Sequence, residues 1–456
     1  MAAGEGTRMR SSLPKMLHPL CGRPLVAWPI LAAREAGAGR VAAIVSPGRD
    51  LSAGFPGEVE TVVQPEPDGT GGAVRAALPL IEAAETVLVL SGDHPLLSAA
   101  TISGLLEAHA ASGAAATMVT IELDDPGSYG RVVRGPGGEV ERVVEAKGGR
   151  GDAGAEQLAI REINAGTYVF DAGPLAEALA DLSDDNAQGE YYLPDVFPVL
   201  RETGHTVAAH LADDFAVTMG VNDRAELAAV EAEARRRILA AHMRAGVTVV
   251  DPASTWIDAE VEIAADARIE PGTSLRGATA VGTGSTVGPL STLIDTRLGE
   301  GVSIPHSYLV ECEVLDGCSV GPFAYLRPGA RLEEGAKAGS FVEVKNSRLG
   351  PGAKVPHLAY VGDAEVGAGS NLGAGTITAN YDGSRKHRTV IGAGARIGVD
   401  TMLVAPVQVG DDAYTGAGAV IKEDVPEGAL AVSENDQRNI EGYAADRAAR
   451  AREEDS

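Results

Sequence analysis

Apolar positions follow two different rhythms along this chain. Over residues 1–222, short apolar runs alternate with amphipathic stretches. Val41-Ala-Ala-Ile-Val45 and Thr86-Val-Leu-Val-Leu90 have the continuous hydrophobicity of strands buried on both faces, and a helical pattern follows each. That alternation predicts an α/β domain around a parallel sheet, with ligands taken outside the carboxyl ends of the strands. Residues 223–245 read as one long helix capped by Asn222 or Asp223 and joining two domains. Beyond it the period changes to six. Val314, Val320, Leu326 and Leu332 fall six apart, as do Leu349, Val355 and Val361, and then Ile391, Ile397, Leu403 and Val409. Gly, Pro, Asp and Ser crowd the positions between. A hexapeptide period predicts a parallel β-helix over residues 246–430, three six-residue sides making one triangular coil. Antiparallel hairpins would show a period of two instead. The period breaks at 380–389, where a loop leaves the coil. Residues 431–456 are expected to form a charged tail, frayed where no apolar face is present.

Composition narrows the class of partner. The 456 residues carry a net charge of −26, which opposes contact with nucleic acid or an anionic membrane surface. An anionic small substrate therefore needs a local basic pocket. Three cysteines (Cys21, Cys312, Cys318) provide no disulfide framework and fit a reducing cytoplasm. No apolar run reaches membrane-spanning length, so no membrane insertion is expected.

Candidate chemistry in the first half begins at residue 1. In Met1-Ala-Ala-Gly-Glu-Gly-Thr-Arg-Met9, Gly4 and Gly6 let backbone N–H groups close on an anion, and Arg8 and Lys15 add fixed positive charge. Such a loop normally hangs from a buried strand. The sequence leaves no room for one ahead of it, so we expect either an upstream start or a loosely anchored loop. Gln64 and Gly69-Thr70-Gly71-Gly72 follow one apparent strand, and Ser91-Gly92-Asp93 follows another. Asp93 is a natural Mg²⁺ ligand, although an Asp at a strand end also serves as an ordinary turn cap.

In the second half His357 stands inside the repeat, in Pro356-His357-Leu-Ala-Tyr360-Val-Gly-Asp363. A neutral imidazole there could take a proton from an amine, or could be a plain structural residue of the coil. Arg327 and Lys345 are 18 residues, or one coil, apart, and are expected to stack where two cations can grip a phosphate.

These clusters occur in a telling order. Gly4-Glu-Gly-Thr-Arg-Met9, Pro14-Lys15, Gly69-Thr-Gly71, Ser91-Gly-Asp93, Tyr129-Gly-Arg-Val132, Glu145 with Lys147, Glu162-Ile-Asn164-Ala-Gly166 and Gly220-Val-Asn222 follow the sequence seen in sugar-1-phosphate nucleotidyltransferases. With the hexapeptide half, nearly the whole chain resembles the bacterial bifunctional N-acetylglucosamine-1-phosphate uridylyltransferases/glucosamine-1-phosphate acetyltransferases. The resemblance implies a Rossmann-like nucleotidyltransferase domain over 1–222, a linker helix over 223–245, and a left-handed β-helix acetyltransferase domain over 246–430. It implies UTP contacts from Ala2, Ala3, Gly4, Lys15, Gln64, Gly69 and Thr70, Mg²⁺ on Asp93 and Asn222, and sugar contacts from Gly130, Glu145 and Asn164. It makes His357 the base that deprotonates glucosamine-1-phosphate as it attacks acetyl-CoA. Arg327, Lys345, Tyr360, Asn371 and Asn380 would hold that amino sugar, and Ala374, Tyr381, Val399 and Ala417 would lie along the coenzyme A arm. A cytoplasmic homotrimer with sites shared between subunits, feeding cell-envelope synthesis with UDP-N-acetylglucosamine, completes the implied picture.

The chain departs from the family pattern at Gly72, where His is usual, at Val399 for Ser, at Glu434 for Arg, and at Pro356 for Gly. Four other functions are weighed against the bifunctional one. The chain could be an acetyltransferase whose uridylyl half is impaired by a missing first strand, or a nucleotidyltransferase whose β-helix only oligomerises. It could also be a zinc β-helix using His306, His357 and His387, or a scaffold without catalysis.

Overall fold

A computed structural model describes residues 1–146, 154–185, 189–433 and 439–454. Lys147 and Glu434 lie outside the described residues. The chain divides into two compact units, Met1–Ala240 with Ile257–Glu260, and Ala241–Trp256 with Val261–Ser456.

The first unit is α/β. A parallel pair, β1 (Ala42–Val45) and β2 (Glu60–Val63), keeps the register Ala42↔Glu60 to Val45↔Val63. A six-stranded sheet contains β3 (Thr86–Val89), β4 (Ala116–Glu122), β5 (Arg131–Arg134), β6 (Val140–Val144), β7 (Glu162–Asp171) and β8 (Val207–Leu211), in the order β8-β4-β7-β5-β6 with β3 also on β7. Strand β8 is parallel to β4, whereas β7 runs antiparallel to β3, β4 and β5. The sheet is therefore mixed where the apolar runs predicted a parallel one. Burial on both faces sets the hydrophobicity of a strand and is blind to its direction. Helices α1 (Ala27–Glu35), α2 (Thr70–Ala76), α3 (Ala99–Ser112), α4 (Ala172–Ala180) and α5 (Val196–Glu202) accompany these strands. One core cluster gathers Tyr168, Phe170 and Phe197, with ring centroids 5.8 to 6.1 Å apart.

Helix α6 runs from Arg224 to Arg244. Asp223 is its cap, its carboxylate accepting from the amides of Ala225 at 2.8 Å and Glu226 at 2.9 Å. Tyr443–Glu454 forms a further helix where a frayed tail was expected. Ala, Arg and Glu favour helix even without an apolar stripe.

The second unit is a stack of coils whose sides build three all-parallel sheets of 11, 10 and 9 strands. The residues of the six-residue period point inward: Val314, Val320, Leu326, Leu332, Leu349, Val355, Val361, Ile391, Ile397, Leu403 and Val409 are all buried. Register is kept coil by coil, as in Leu326↔Val344 and Val344↔Val361. Apolar faces of successive coils thus form one continuous core.

Hydrogen bonds from Arg236 at 2.7 and 2.8 Å and from Arg237 at 2.7 Å hold the Glu233 carboxyl on α6 at about 2, against an ordinary 4.5. A carboxylate so depressed stabilises the fold fully above pH 4.5 and loses that contribution as pH falls towards 2. The thermal-midpoint gap between the natural chain and Glu233→Gln should be largest near pH 7 and close between pH 4.5 and 2. A gap independent of pH would assign α6's stability to something else.

Candidate functional sites

The opening loop is held firmly. The Ala2 amide donates to Ile44 O at 2.8 Å on the β1 side. On the β3 side the Met1 ammonium donates to Leu90 O at 2.6 Å and the Gly92 amide to Met1 O at 2.8 Å. Ser46 Oγ donates to the carbonyl of Ala3. The expected looseness is absent, because residues 1–3 are bonded on both sides. Gly6 then turns with φ of 64°, and a Cβ there would sit 2.6 Å from Lys15 Cβ, so only glycine lets the loop close on Lys15.

Lys15 is buried, and its Nζ donates to Asp93 Oδ2 at 2.6 Å. Burial pushes the Asp93 carboxyl up, but the charge and hydrogen bond of Lys15 outweigh it and leave the pKa below the ordinary range. The Val221 amide donates to Asp93 O, which brings Asn222 beside this group, and Arg8 Nη2 donates to Asn222 Oδ1 at 2.8 Å. The Gly4–Lys15 loop, Asp93 and Asn222 therefore converge.

Gln64 leaves β2 buried, and its Nε2 donates to Asp68 Oδ1 at 2.8 Å and Gly69 O at 3.1 Å. Gly69 takes φ of 103° ahead of α2, where a Cβ would press on Tyr191 O. The hydroxyl of Thr70 accepts from the Leu193 amide at 3.0 Å, so it anchors the 190s segment. At Gly72 any side chain would run into the Asp68 carboxylate, which fills the space a family histidine would take.

Gly130, Glu145 and Asn164, the residues expected to meet the sugar, lie near the end of β3. Gly130 O accepts from the Asn164 amide at 3.0 Å. The Asn164 side chain bridges Tyr168 Oη at 2.7 Å and the Gly166 amide at 3.0 Å. Ser91 Oγ reaches Gly166 O at 3.5 Å, joining this turn to Ser91-Gly92-Asp93. Glu145 is half-buried, within 3.4 Å of where a Gly130 Cβ would be. His94 escaped notice in the sequence. It is half-buried between Gly166 and Gly220, 4.0 Å from Asp93, and desolvation lowers its pKa. Only its adjacency to Asp93 could have signalled it.

In the second unit a network forms around Asp363. Its carboxylate accepts from Asn346 Nδ2 at 2.7 Å, from Lys345 Nζ at 3.4 Å and from Asn380 Nδ2, and Asn380 also lies 3.5 Å from Tyr360 Oη. Burial raises this carboxyl, and those donors reverse the shift, leaving it low. Arg327 stands one coil before Lys345, its amide donating to Val344 O, and its guanidinium pairs with Glu343 at 2.8 Å. Lys386, on the loop that leaves the coil, lies against Lys345, and this contact with a like charge lowers its pKa. Arg327, Lys345 and Lys386 thus face one place. Of the three, only Lys386 was missed, although the inserted loop carrying it was noticed.

His357 ends the strand Lys354–His357 and is exposed. Among the described residues its imidazole has no hydrogen-bond partner. Three backbone bonds continue upward from it: Gly375 N to His357 O, Asp400 N to Ala374 O and Gly418 N to Val399 O. His357, Ala374, Val399 and Ala417 accordingly follow one corner of the prism. That same corner carries Leu290, His306, Phe323, Phe341 and Leu358 in left-handed conformation below Gly375. Tyr381 is exposed on the loop, its hydroxyl donating to Gly383 O at 2.6 Å. Asn371 is set apart, pairing with Lys354 and Arg396 on the sheet of His357 rather than on that of Lys345 and Tyr360. Among the described residues no group of three or more His, Cys, Asp or Glu could hold a metal, so His306, His357 and His387 do not form a zinc site.

Comparison with known proteins agrees with both halves. Residues 1–190 match the model of the MobA-like NTP transferase domain, and residues 388–423 that of the bacterial transferase hexapeptide with six repeats. Proteins named bifunctional protein GlmU are similar over 97% of the chain. That of Kineococcus radiotolerans is 50% identical with 90% of its own length covered. That of Corynebacterium glutamicum is 48% identical with 92% covered, and that of Mycobacterium tuberculosis 48% identical with 91% covered. Two units, two sites and this likeness along nearly the whole chain lead to one conclusion: the chain belongs to the bifunctional GlmU family.

Proposed function

We infer that the chain makes UDP-N-acetylglucosamine by two reactions: acetylation of glucosamine-1-phosphate by acetyl-CoA, then uridylyl transfer from UTP to N-acetylglucosamine-1-phosphate. Residues 1–222 would serve the second reaction, 246–430 the first, with 223–245 between them. The observation that carries this reading is likeness to bifunctional relatives over 97% of the chain, taken with a bonded opening loop. An acetyltransferase with a crippled first half is not favoured.

In uridylyl transfer a phosphate oxygen of the sugar attacks the α-phosphorus of UTP, and pyrophosphate leaves with the electron pair of the broken P–O bond. The protein's part is to hold two polyanions in line and neutralise them. The amides of Ala2, Ala3 and Gly4 with Arg8 and Lys15 suit the phosphates of UTP. Gln64, Gly69 and Thr70 suit its base, and Gly130, Glu145 and Asn164 the acetylated sugar. Asp93 and Asn222 offer two hard oxygens, each now facing a cationic side chain, and this donor set fits Mg²⁺ completed by phosphate oxygens. When bound there, Mg²⁺ supplies charge neutralisation across both reactants.

In acetyl transfer the sugar amine attacks the thioester carbonyl, His357 takes the proton and the coenzyme A thiolate leaves. The three cations Arg327, Lys345 and Lys386 suit the sugar phosphate, with Tyr360 and Asn380 beside it. The corner through Ala374, Val399 and Ala417 suits the extended coenzyme arm, with Tyr381 at its flank. Small residues at Gly375 and Gly418 leave room there that bulkier ones lower on the corner would fill.

The assembly we propose is a homotrimer. Phe323 and Phe341 are 56% and 59% exposed, with rings stacked 5.3 Å apart, and both hold φ near 60°. Bulky residues adopt that conformation at a cost in energy, and exposed apolar rings imply a covering surface.

His357→Ala should lower acetyl transfer about 10²–10⁴-fold and leave uridylyl transfer intact. Asp93→Asn should do the reverse, lowering uridylyl transfer at least about a hundredfold. If His357→Ala leaves acetyl transfer unchanged, the β-helix is only an oligomerisation module. Phe341→Asp should shift the mass measured by light scattering from three chains towards one; an unchanged mass would remove the Phe323–Phe341 stack from the interface.

A further inference from the structure

Strand β7 is interrupted in its middle. Against β4 it pairs Phe170 with Ala116, Val169 with Thr117 and Tyr168 with Met118, and it resumes with Asn164 opposite Thr120 and Ile163 opposite Ile121. Ala165, Gly166 and Thr167 therefore stand against the single residue Val119. They make a β-bulge in which Gly166 takes φ of 73°. A bulge re-aims the side chains beside it, and here those are Asn164 and Tyr168 at its two ends. Its crest meets the Ser91-Gly92-Asp93 turn, where Ser91 Oγ lies 3.5 Å from Gly166 O.

Side chains clasp the bulge. Asn164 Nδ2 donates to Tyr168 Oη at 2.7 Å, and the Gly166 amide donates to Asn164 Oδ1 at 3.0 Å. A backbone amide can only donate, so the second bond decides which end of the carboxamide is oxygen, and the first stops its rotation. Tyr168 is fixed in turn by the core. It is 3% exposed, with its ring 5.9 Å from that of Phe170 and 5.8 Å from that of Phe197 on α5. Burial pushes its phenol above the ordinary 10, and the charge of Glu145 adds to that rise, so the hydroxyl stays neutral beside two residues of the sugar side. The half-buried Asn164 carboxamide keeps one N–H and one oxygen lone pair unused.

We propose that Tyr168 is a positioning residue for uridylyl transfer, its hydroxyl holding the Asn164 carboxamide so that the remaining N–H and carbonyl meet polar groups of the acetylated sugar. The proposal rests on the sugar side inferred above. The aromatic core supplies the fixed reference, and the clasp carries it to the ligand. The sugar ring is unchanged while its phosphate oxygen attacks, so this contact acts equally on bound substrate and transition state. Its loss belongs in KM for the sugar rather than in kcat.

The test is a double-mutant cycle on the full chain, with circular dichroism confirming that each variant is folded. Tyr168→Phe keeps the ring and removes the hydroxyl. It should raise KM for N-acetylglucosamine-1-phosphate about fivefold and leave kcat and KM for UTP within about twofold. Asn164→Ala should raise the same KM at least as far, and Tyr168→Phe added to it should change nothing more, because Tyr168 acts through Asn164. If Asn164→Ala raises that KM and Tyr168→Phe does not, or if the two effects multiply, the proposal is overturned and Tyr168 is a core residue alone. A rise shared equally by UTP would overturn it too, since a loosened domain is not selective. Asn164→Ala with the natural KM for the sugar would instead overturn the reading of the sugar side, and the proposal with it.

Discussion

Parallel backbone pairing is the constraint from which both units take their shape. In the coil stack every strand amide must find a carbonyl in the next coil, so register cannot slip without orphaning a row of buried polar groups. Spacing in sequence thereby becomes position in space. Residues 17 or 18 apart lie one above another, which sets Arg327 beside Lys345 and starts a line of corner positions at His357. The reactive groups therefore need little positioning of their own, because the ladder does it. The exception is the inserted loop, which leaves the coil and is closed by its own backbone bonds, His387 N to Asn380 O and Asp382 N to Arg385 O, together with side chains. Asp382 contributes by accepting from the Ser384 and Arg385 amides at 2.8 and 2.7 Å and by meeting His387 Nε2 at 2.6 Å.

In the first unit the same pairing delivers a loop rather than a line. Residues 1–3 are bonded to Ile44, Leu90 and Gly92, so the glycines that follow emerge at the carboxyl ends of β1 and β3. Ser46 and Asp93 emerge from the same ends. Lys15 then crosses the loop to Asp93, and Arg8 crosses to Asn222, each cation resting on an oxygen. A polyanion entering between them would offer both cations a better partner and leave both oxygens facing its counter-ion. The Lys15–Asp93 pair is largely buried, so removing either partner alone would leave the other charge uncompensated.

Much of this was legible in the sequence, and the reason differs by unit. The hexapeptide rhythm is a direct image of the β-helix, since one inward side chain per side is what each coil needs, and every residue of that rhythm is buried. Strand direction in the first unit was not legible, because Val-rich runs such as Thr86–Leu90 look alike in parallel and antiparallel sheets. The left-handed conformation of Phe323 and Phe341 was invisible too, as sequence rules reserve it for Gly, Asn and Asp. Glycine signals misled less: Gly6 and Gly69 stand where a Cβ would meet Lys15 and Tyr191. Asp363 was quoted as part of a motif, but its role as the acceptor joining three coils depends on contacts that no spacing reveals.

The departures from the family pattern are best understood through what occupies the space. At position 72 the missing imidazole leaves no void, since Asp68 turns its carboxylate there and Gln64 ties that carboxylate down at 2.8 Å. Gln64 in turn holds Gly69 O at 3.1 Å, so the turn that begins α2 is set by a local triad instead of by residue 72. Position 399 is different. Val399 is half exposed on the corner above His357, where a hydroxyl could donate and an isopropyl group cannot. The first change is absorbed by its neighbours and touches only how the loop is braced. If the corner takes the coenzyme arm as proposed, the second would withhold a donor from it, so its cost would fall on the affinity for acetyl-CoA rather than on proton removal at His357.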